Sequence, residues 1–183
     1  MKKSRIALAA LAAGAFCMAV NLIPNARAGD TNAPAERIGV YDSRVVAYAH
    51  FTGEANMRKL SDSIKAAREA QAAGQTERFR ELSAALQKRQ EQAHLVVFGS
   101  APSTEALADI KDLLPEIQKK AGVTALVSKW DEAGLKAHPK AEQVDVTDAL
   151  AAAFHPGEKQ LQMIESIKKT KPASAEQLAH ERD

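Results

Sequence analysis

The fold of this chain depends most on residues 54–95, which read EANMRKLSDSIKAAREAQAAGQTERFRELSAALQKRQEQAHL. Apolar side chains recur in this stretch at alternating spacings of three and four, a pattern that predicts one narrow stripe on each of two helices. The stripe positions are Met57, Leu60, Ile64, Ala67 and Gln71, then Phe79, Leu82, Leu86, Arg89 and Ala93. Because several of these side chains are small or polar, we expect the two helices to be held together only weakly.

The segment between the two stripes contains a signal for a helix end followed by a helix start. Gly74 suits the position after a helix C-terminus, Thr76 suits an N-cap, and Glu77 is favourable in a first helical turn. We therefore predict an antiparallel helical hairpin with arms of about 27–30 Å at 1.5 Å per residue. The alternative is one long helix that carries Gly74 at a cost of about 1 kcal/mol relative to alanine.

Residues 1–28 have the features of a cleavable secretory signal peptide. Basic residues precede an apolar run at residues 6–20, and residues 26–28 are Ala-Arg-Ala, a small-x-small cleavage site. An uncleaved anchor is the alternative, but the apolar run is short for a membrane span. Cys17 suggests a lipoprotein, although the bulky Phe16 before it argues against that processing. The sequence thus predicts a periplasmic protein.

The charge balance changes once the predicted signal peptide is set aside. The first 28 residues hold four of the 25 Lys and Arg residues and none of the 23 Asp and Glu residues, so the remainder carries a formal charge of −2. No general attraction to nucleic acid follows from that balance. The remainder has no cysteine and no further apolar run long enough to span a bilayer, and it is long enough for one domain.

The rest of the chain predicts an α+β fold, with a small β-sheet body from which the hairpin projects. We expect a flexible leader at 29–36 and a domain at 37–155. A partly disordered C-terminal tail should follow at 156–183, where apolar residues are sparse. The predicted strands are 37–41 and 123–128, with a possible short strand at 135–137. The predicted helices are a turn capped by Asp42, a helix at 104–121 divided or kinked at Pro115, and an apolar helix at 149–154.

So small a sheet is marginal on its own. We therefore expect its edges to pair with further copies of the chain in a homo-oligomer. Residues 95–98 should return to the body if Gly74 is the tip of the hairpin.

Two segments of the chain resemble the Skp/OmpH family of periplasmic chaperones. Residues 37–46 (RIGVYDSRVV) are similar to the family's opening strand and helical start. Residues 123–129, followed by 144–150 (VDVTDAL), are similar to its closing strand and final helix. The resemblance implies three copies that close a β-body, with coiled-coil hairpins around a cavity that holds unfolded outer-membrane proteins without ATP or any cofactor. This chain differs in its short hairpin, in the weakly basic charge of that hairpin and in the added residues 95–121.

The sequence shows no recognisable motif of an enzyme active site. Five histidines are scattered without helical spacing, which does not favour a zinc site. Residues 98–102 lack the frame of a serine nucleophile turn, and no phosphate-binding glycine motif occurs. Three of the four acids at 42, 131, 145 and 148 lie at predicted helix starts or turns, where capping explains them more simply, and Trp130 is interpreted as an anchor of the body. We therefore predict no enzyme, no metal and no cofactor, although a deep pocket lined by Asp42, Trp130 and Asp131 would reopen that question.

The function predicted from the sequence is that of an ATP-independent periplasmic holdase for unfolded outer-membrane or envelope proteins, acting as a homo-oligomer, with a trimer implied by the resemblance. We expect the hairpin to contact such clients through apolar and basic side chains, namely Met57, Leu60, Ile64, Arg68, Arg78, Phe79 and Lys88. The alternative is a non-enzymatic envelope adaptor that acts through an oligomeric body and the C-terminal tail.

Overall fold

A computed structural model describes residues 36–180, which form three strands and nine helices. The predicted signal peptide and residues 29–35 of the predicted leader lie outside the described residues. The elements in chain order are β1 (Arg37–Tyr41), α1 (Ser43–Thr52), α2 (Glu54–Ala72), α3 (Thr76–Phe98), α4 (Thr104–Asp109), α5 (Leu114–Ala121), β2 (Ala125–Ser128), α6 (Glu132–Ala137), β3 (Glu142–Asp145), α7 (Thr147–Ala152), α8 (Glu158–Lys168) and α9 (Ala175–His180).

The three strands form one small parallel sheet in the order β2-β1-β3. Ile38 lies opposite Ala125 on one side and Gln143 on the other, and Val40 lies opposite Val127 and Asp145. Strand β1 is therefore central, and the carboxyl ends of all three strands meet at one edge. The described chain is thus mixed helical with a small sheet, as the sequence predicts at that level, and its strands run parallel.

Helix α1 is the most deeply buried helix and lies between two apolar clusters. Val45 joins Val97 of α3 and Ile164 of α8 in the first cluster. Val46 joins Tyr41, at the end of β1, and Leu150 of α7 in the second cluster. The successive residues Val45 and Val46 therefore pack into different apolar clusters. Helices bury much of the apolar surface, which so small a sheet could not bury by itself. The need for a second copy no longer follows from the size of the sheet alone.

Helices α2 and α3, which we call the helix pair, are separated by a break at Gly74. This glycine has φ of 69°, in the left-handed region that glycine adopts without penalty, and the chain re-enters a helix at Thr76. The predicted break is confirmed, and the alternative of one continuous helix is wrong. The main contacts of the two helices are with each other and with α1.

Several predicted element boundaries agree with the structure. Strand β1 spans the predicted residues, and Asp42 caps α1 by accepting a hydrogen bond from the Arg44 amide at 3.1 Å. The predicted helix at 104–121 is divided into α4 and α5, with Pro115 in the first turn of α5. Proline lacks an amide hydrogen, so an interior position would have cost a helical hydrogen bond.

Two predictions for the second half of the domain are corrected. Residues 135–137 lie in α6 and not in a strand, because the Asp131 carboxylate accepts from the Gly134 amide at 2.9 Å and caps a short helix there. The third strand is β3, whose sequence Glu-Gln-Val-Asp is mostly exposed and lacks the apolar alternation of a half-buried strand. A polar edge strand of this kind gives little signal in a sequence.

The expectation of a partly disordered tail from residue 156 is also corrected for the described residues. Ile164 and Ile167 of α8 are buried in the first cluster, and Leu178 of α9 is buried beside Gly99. The Ala173 amide donates to the Phe98 carbonyl at 2.8 Å. These few apolar residues are enough because each one enters the core.

Within residues 36–180, no helix combines the length and the apolar character that a membrane crossing requires.

Candidate functional site

The predicted contact residues of the helix pair divide into exposed and half-buried positions. Met57 is 47% exposed, and Arg68, Arg78 and Lys88 are also exposed. The other three, Leu60, Ile64 and Phe79, are half-buried. These three occupy positions of the predicted stripes, as the exposed Met57 also does, and their partial burial leaves them only partly available to a ligand.

Small side chains supply the closest packing of α2. Ala67 and Ala70 are its buried apolar residues, whereas the larger Leu82 and Leu86 of α3 are half-buried. An alanine buries much less apolar area than a leucine, and hydrophobic stabilisation is proportional to that area. The buried apolar side chains of α2 therefore contribute a modest hydrophobic area, and weak association of the helix pair stays a prediction.

Four cations of the helix pair have no ion-pair partner within residues 36–180, namely Lys59, Arg68, Arg80 and Lys88. Other cations of the pair have acidic neighbours on the same helix. Arg58 pairs with Glu54, Lys65 with Glu69 at 3.9 Å, and Arg78 with Glu81 at 3.6 Å. The four unpaired cations are exposed and free to meet an anionic ligand.

The base of the helix pair is fixed to α1 by polar and aromatic contacts. The Asn56 side-chain amide donates to the His50 carbonyl at 2.9 Å, and its oxygen lies 3.5 Å from the Arg89 guanidinium. Arg89 also lies over the ring of Phe51, 5.5 Å from its centroid. Arg89 occupies one of the two polar positions of the predicted stripes. Its contacts with Asn56 and Phe51 explain why an arginine stands at that position.

At the carboxyl edge of the sheet, the Asp42 side chain gathers partners from several elements. One of its oxygens accepts from the Arg44 Nε at 3.1 Å and from the Trp130 Nε1 at 2.9 Å. The other accepts from the Arg44 Nη2 at 2.9 Å and from the Lys129 Nζ at 2.8 Å. The Asp42 amide in turn donates to the Thr147 hydroxyl at 3.0 Å. We call Asp42, Arg44, Lys129 and Trp130 the carboxylate cluster.

The carboxylate cluster holds a charge in the interior. Burial by itself would raise the pKa of Asp42, but the hydrogen bonds from Arg44, Lys129 and Trp130 outweigh it and lower that pKa to about 2. Asp42 is therefore ionised at neutral pH although it is only 1% exposed. Both of its oxygens accept hydrogen bonds from protein donors, so this arrangement fits a structural role better than that of a catalytic acid or base.

Arg44 connects the carboxylate cluster to the C-terminal helices. Its guanidinium donates to the carbonyls of Ile167 at 3.0 Å and Thr170 at 2.9 Å, just where α8 ends. It also lies over the Trp130 ring, 4.9 Å from the centroid, and Lys129 lies 4.7 Å from the same ring. A planar guanidinium can serve a carboxylate and two carbonyls at once, which an ammonium group cannot do in this geometry.

The structure brings together two of the three residues that would have reopened the enzyme question. Asp42 and Trp130 are in contact, whereas the Asp131 carboxylate caps α6. The Asp145 carboxylate similarly accepts from the Thr147 amide at 2.8 Å, as the capping interpretation predicts. Sequence reasoning missed Arg44 and Lys129. The available signal for Arg44 was a basic residue two positions after the aspartate that follows strand β1.

The histidines lie in different surroundings. His50 is fully buried, and its Nε2 lies 2.9 Å from a carboxylate oxygen of Asp109. His138 Nδ1 lies 2.8 Å from a carboxylate oxygen of Glu36. Over residues 36–180, no group of three or more His, Cys, Asp or Glu side chains is placed to hold a metal ion. The pairing of His50 with Asp109 spans 59 positions and was not predicted.

Comparisons of the chain with protein-family models, with curated proteins and with solved structures found no match. The class of protein that the fold defines is therefore a mixed α and β domain with a small parallel sheet and a long helix pair. Its function has to be argued from that geometry.

Proposed function

We propose that the chain is an ATP-independent holdase of the bacterial periplasm that retains unfolded outer-membrane or envelope proteins along the helix pair. The observation that carries this proposal is the exposed length of α2 and α3, whose 19 and 23 residues correspond to about 28 and 34 Å of helix. Helix α1, to which their base is fixed, has only 10 residues. Most of the helix pair therefore has no other helix of the body beside it.

In this proposal, α2 and α3 form an antiparallel hairpin that projects from the body. The turn at Gly74 supports it, and so does the contact between Asn56 and Arg89, which stand at similar distances along the chain from Gly74. Weak packing between the two helices suits a holdase, because a loosely held pair can adjust to clients of different sequence.

The mixed character of the surface supports the choice of client. Met57 offers an exposed apolar contact, while Lys59, Arg68, Arg80 and Lys88 offer unpaired positive charge. An unfolded chain exposes both apolar and acidic groups. Many weak contacts of this kind retain it without one strong site, particularly when several copies act together.

Oligomerisation and the envelope location belong to the same proposal. The signal-peptide features of residues 1–28 support the envelope location, and the resemblance of residues 37–46 to the Skp/OmpH family supports both. Exposed Leu95, Phe98 and Met163 at the base of the helix pair offer apolar area for contacts between copies. Multi-angle light scattering of the purified protein should give the mass of a homo-oligomer, with a trimer as the expected form. A stable monomer would remove the enclosed cavity from the proposal.

The test of the function is suppression of aggregation. A urea-unfolded outer-membrane barrel is diluted into buffer with and without the purified protein, in the absence of nucleotide, and turbidity is followed. We expect less turbidity with the protein, and less protection as salt is raised, because screening weakens contacts between exposed charges. Equal turbidity with and without the protein would contradict the proposal.

A charge variant and its control locate the activity. Changing Lys59, Arg68, Arg80 and Lys88 together to Gln should weaken protection and its salt dependence. The control changes four exposed lysines of the body to Gln, namely Lys111, Lys119, Lys140 and Lys159, and alters the net charge equally. Equal loss in both variants would assign the effect to net charge and not to the helix pair.

The adaptor alternative, in which an oligomeric body positions the C-terminal tail against a partner, is not the function proposed here. Helix α8 contributes Ile164 and Ile167 to the core, and no contact of the described residues favours a partner at the tail. Deletion from Pro156 would remove those side chains, so loss of activity in that variant would reflect unfolding.

A further inference from the structure

An apolar groove is lined by the last turns of α3, by the second half of α8 and by the segment that follows α8, and we call it the α3–α8 groove. Its volume is about 330 Å³. Val97 and Ile167, which are buried, contribute to its lining together with Phe98 and Met163, which are 52% and 48% exposed. The groove therefore offers solvent-accessible apolar surface on the body, away from the exposed length of the helix pair.

Hydrogen bonds fix the walls of the α3–α8 groove. The Ala173 amide donates to the Phe98 carbonyl at 2.8 Å, which ties the segment after α8 to the end of α3. The Arg44 guanidinium donates to the carbonyls of Ile167 at 3.0 Å and Thr170 at 2.9 Å. The Thr170 hydroxyl also donates to the Ile167 carbonyl, at 3.0 Å. A ligand would therefore enter a preformed groove, so that little ordering of the protein opposes binding.

The charge at the α3–α8 groove is positive. Among the described residues, its ionisable lining side chains are Arg44, His94 and Lys171, and no Asp or Glu lines it. The charge of Arg44 is matched by the Asp42 carboxylate at 2.9 Å. Lys171 is exposed and has no ion-pair partner within residues 36–180. Its ammonium group therefore favours an anion at the rim of the apolar surface.

We propose that the α3–α8 groove binds a medium-chain fatty carboxylate. The alkyl chain packs against Phe98, Met163 and Ile167, and the carboxylate meets the Lys171 ammonium group. The volume lies at the lower end of the range of about 300–1,000 Å³ for ligand sites, which favours one short chain over a lipid with two long ones. Of the three exposed residues offered above for contacts between copies, this ligand covers Phe98 and Met163 and leaves Leu95.

The test compares octanoate with hexanoate and with octylammonium, which has the same chain length and the opposite charge. Each is titrated into the purified protein by calorimetry at physiological salt and without a client, so the outcome is independent of the holdase test. We expect octanoate to bind with a millimolar or tighter Kd. Hexanoate should bind about tenfold more weakly because it buries two methylenes fewer. Octylammonium should also bind about tenfold more weakly, because Lys171 repels it. Equal affinity for octanoate and octylammonium would overturn the proposal, and so would no binding of octanoate.

Methyl NMR locates the ligand in the protein. With ¹³C-labelled methionine methyl groups, octanoate should shift the signal of Met163 and leave that of Met57 unchanged. Met57 is a matched control because it is 47% exposed, close to the value for Met163, and lies in the helix pair. Equal shifts of both signals would show non-specific association with exposed apolar side chains and would refute the site.

Charge variants test the role of Lys171. Lys171→Glu should weaken octanoate binding about tenfold and strengthen octylammonium binding, because the rim charge is reversed. The control Lys169→Glu changes the net charge equally at a neighbouring exposed lysine that does not line the groove, and it should alter octanoate binding by less than about twofold because salt screens more distant charges. Equal weakening in the two variants would contradict the contact with Lys171.

Filling variants separate a fatty carboxylate from a second copy of the chain as the occupant. Met163→Trp should abolish octanoate binding, whereas Leu161→Trp, at a 49% exposed residue that lines a different cavity, should leave it intact. Light scattering should give the same mass for Met163→Trp as for the wild type. An oligomer that dissociates in Met163→Trp would assign the groove to a second copy, and octanoate binding that survives this variant would place the ligand elsewhere; either result rejects the proposal.

Discussion

Replacement of Asp42 by Asn tests the role of the carboxylate cluster. The substitution keeps the side-chain size and removes the charge, so Arg44 is left as a buried cation that is only 2% exposed. The new amide group also places a donor against the guanidinium and the Lys129 ammonium. Removing one partner of a buried ion pair costs about 3–5 kcal/mol, and we expect Asp42→Asn to reduce the free energy of unfolding at pH 7 by that amount.

The pH dependence of stability gives a second, independent magnitude. The pKa of Asp42 is lowered from 3.8 to about 2 in the folded protein, so the unfolded state binds the proton first as the pH falls. The stabilisation is therefore complete above about pH 5 and is lost as the pH falls from about 4 to 2. At 1.36 kcal/mol per pKa unit, the loss is about 2 kcal/mol.

The assay is urea unfolding followed by circular dichroism, at pH 7 and at intervals down to pH 2. In the wild type, protonation of Asp42 should lower the free energy of unfolding by about 2 kcal/mol as the pH falls from about 4 to 2, and the Asp42→Asn variant should lack that decrease. The matched control is Asp148→Asn, whose carboxylate is 77% exposed and 2.6 Å from the Lys168 Nζ. An exposed ion pair contributes about 0–1 kcal/mol. An Asp42→Asn cost as small as that of the control would refute the reasoning.

Four further substitutions, one of them a control, test the architecture by urea unfolding. Ile164→Ala, at a residue that is 2% exposed, should lower the free energy of unfolding by about 2–4 kcal/mol. The control Met163→Ala, at a residue that is 48% exposed, should lower it by less than about 1 kcal/mol. Equal losses would show that α8 is not part of the core. Gly39→Ala places a Cβ 2.8 Å from Leu126 and 3.0 Å from Val146 and should cost about 1–3 kcal/mol; a neutral result would mean that the central strand is loosely packed. Gly74→Ala meets no neighbouring atom but keeps φ of 69°, so it should cost about 1 kcal/mol, and a stabilising effect would contradict the turn.

Much of the fold could be predicted from local sequence patterns. Strand β1, the Asp42 cap and the break at Gly74 each depend on neighbouring residues, so the sequence predicts them with their boundaries. The stripes of the helix pair follow from helical periodicity, and Leu60 and Ile64 are half-buried as that pattern requires.

Features that depend on distant partners were not predictable in the same way. Strand β3 is polar and exposed, and only its hydrogen-bonded neighbour makes it a strand. Helix α8 has a sparse apolar stripe, and its importance depends on the Arg44 side chain, which lies more than 120 positions earlier in the chain. A buried arginine is rare, and its charged partner two residues away does not reveal that both are inside.

The candidate sites show the same division. The basic and apolar faces of the helix pair are visible in the sequence, because exposure follows from the helical period. The pairing of His50 with Asp109 is not, because it joins two residues that are 59 positions apart in the chain.

The most direct test of the proposed function is to identify the surface that an unfolded client touches. A photo-crosslinking amino acid is placed at Arg68 and Lys88 of the helix pair, and in control variants at Lys119 and Lys140 of the body, all of them exposed. After dilution of a urea-unfolded outer-membrane barrel and irradiation, we expect crosslinked client at the two helix-pair positions, with yields that fall as salt is raised. Crosslinks that form equally or preferentially at Lys119 and Lys140 would contradict the proposal that the helix pair holds the client.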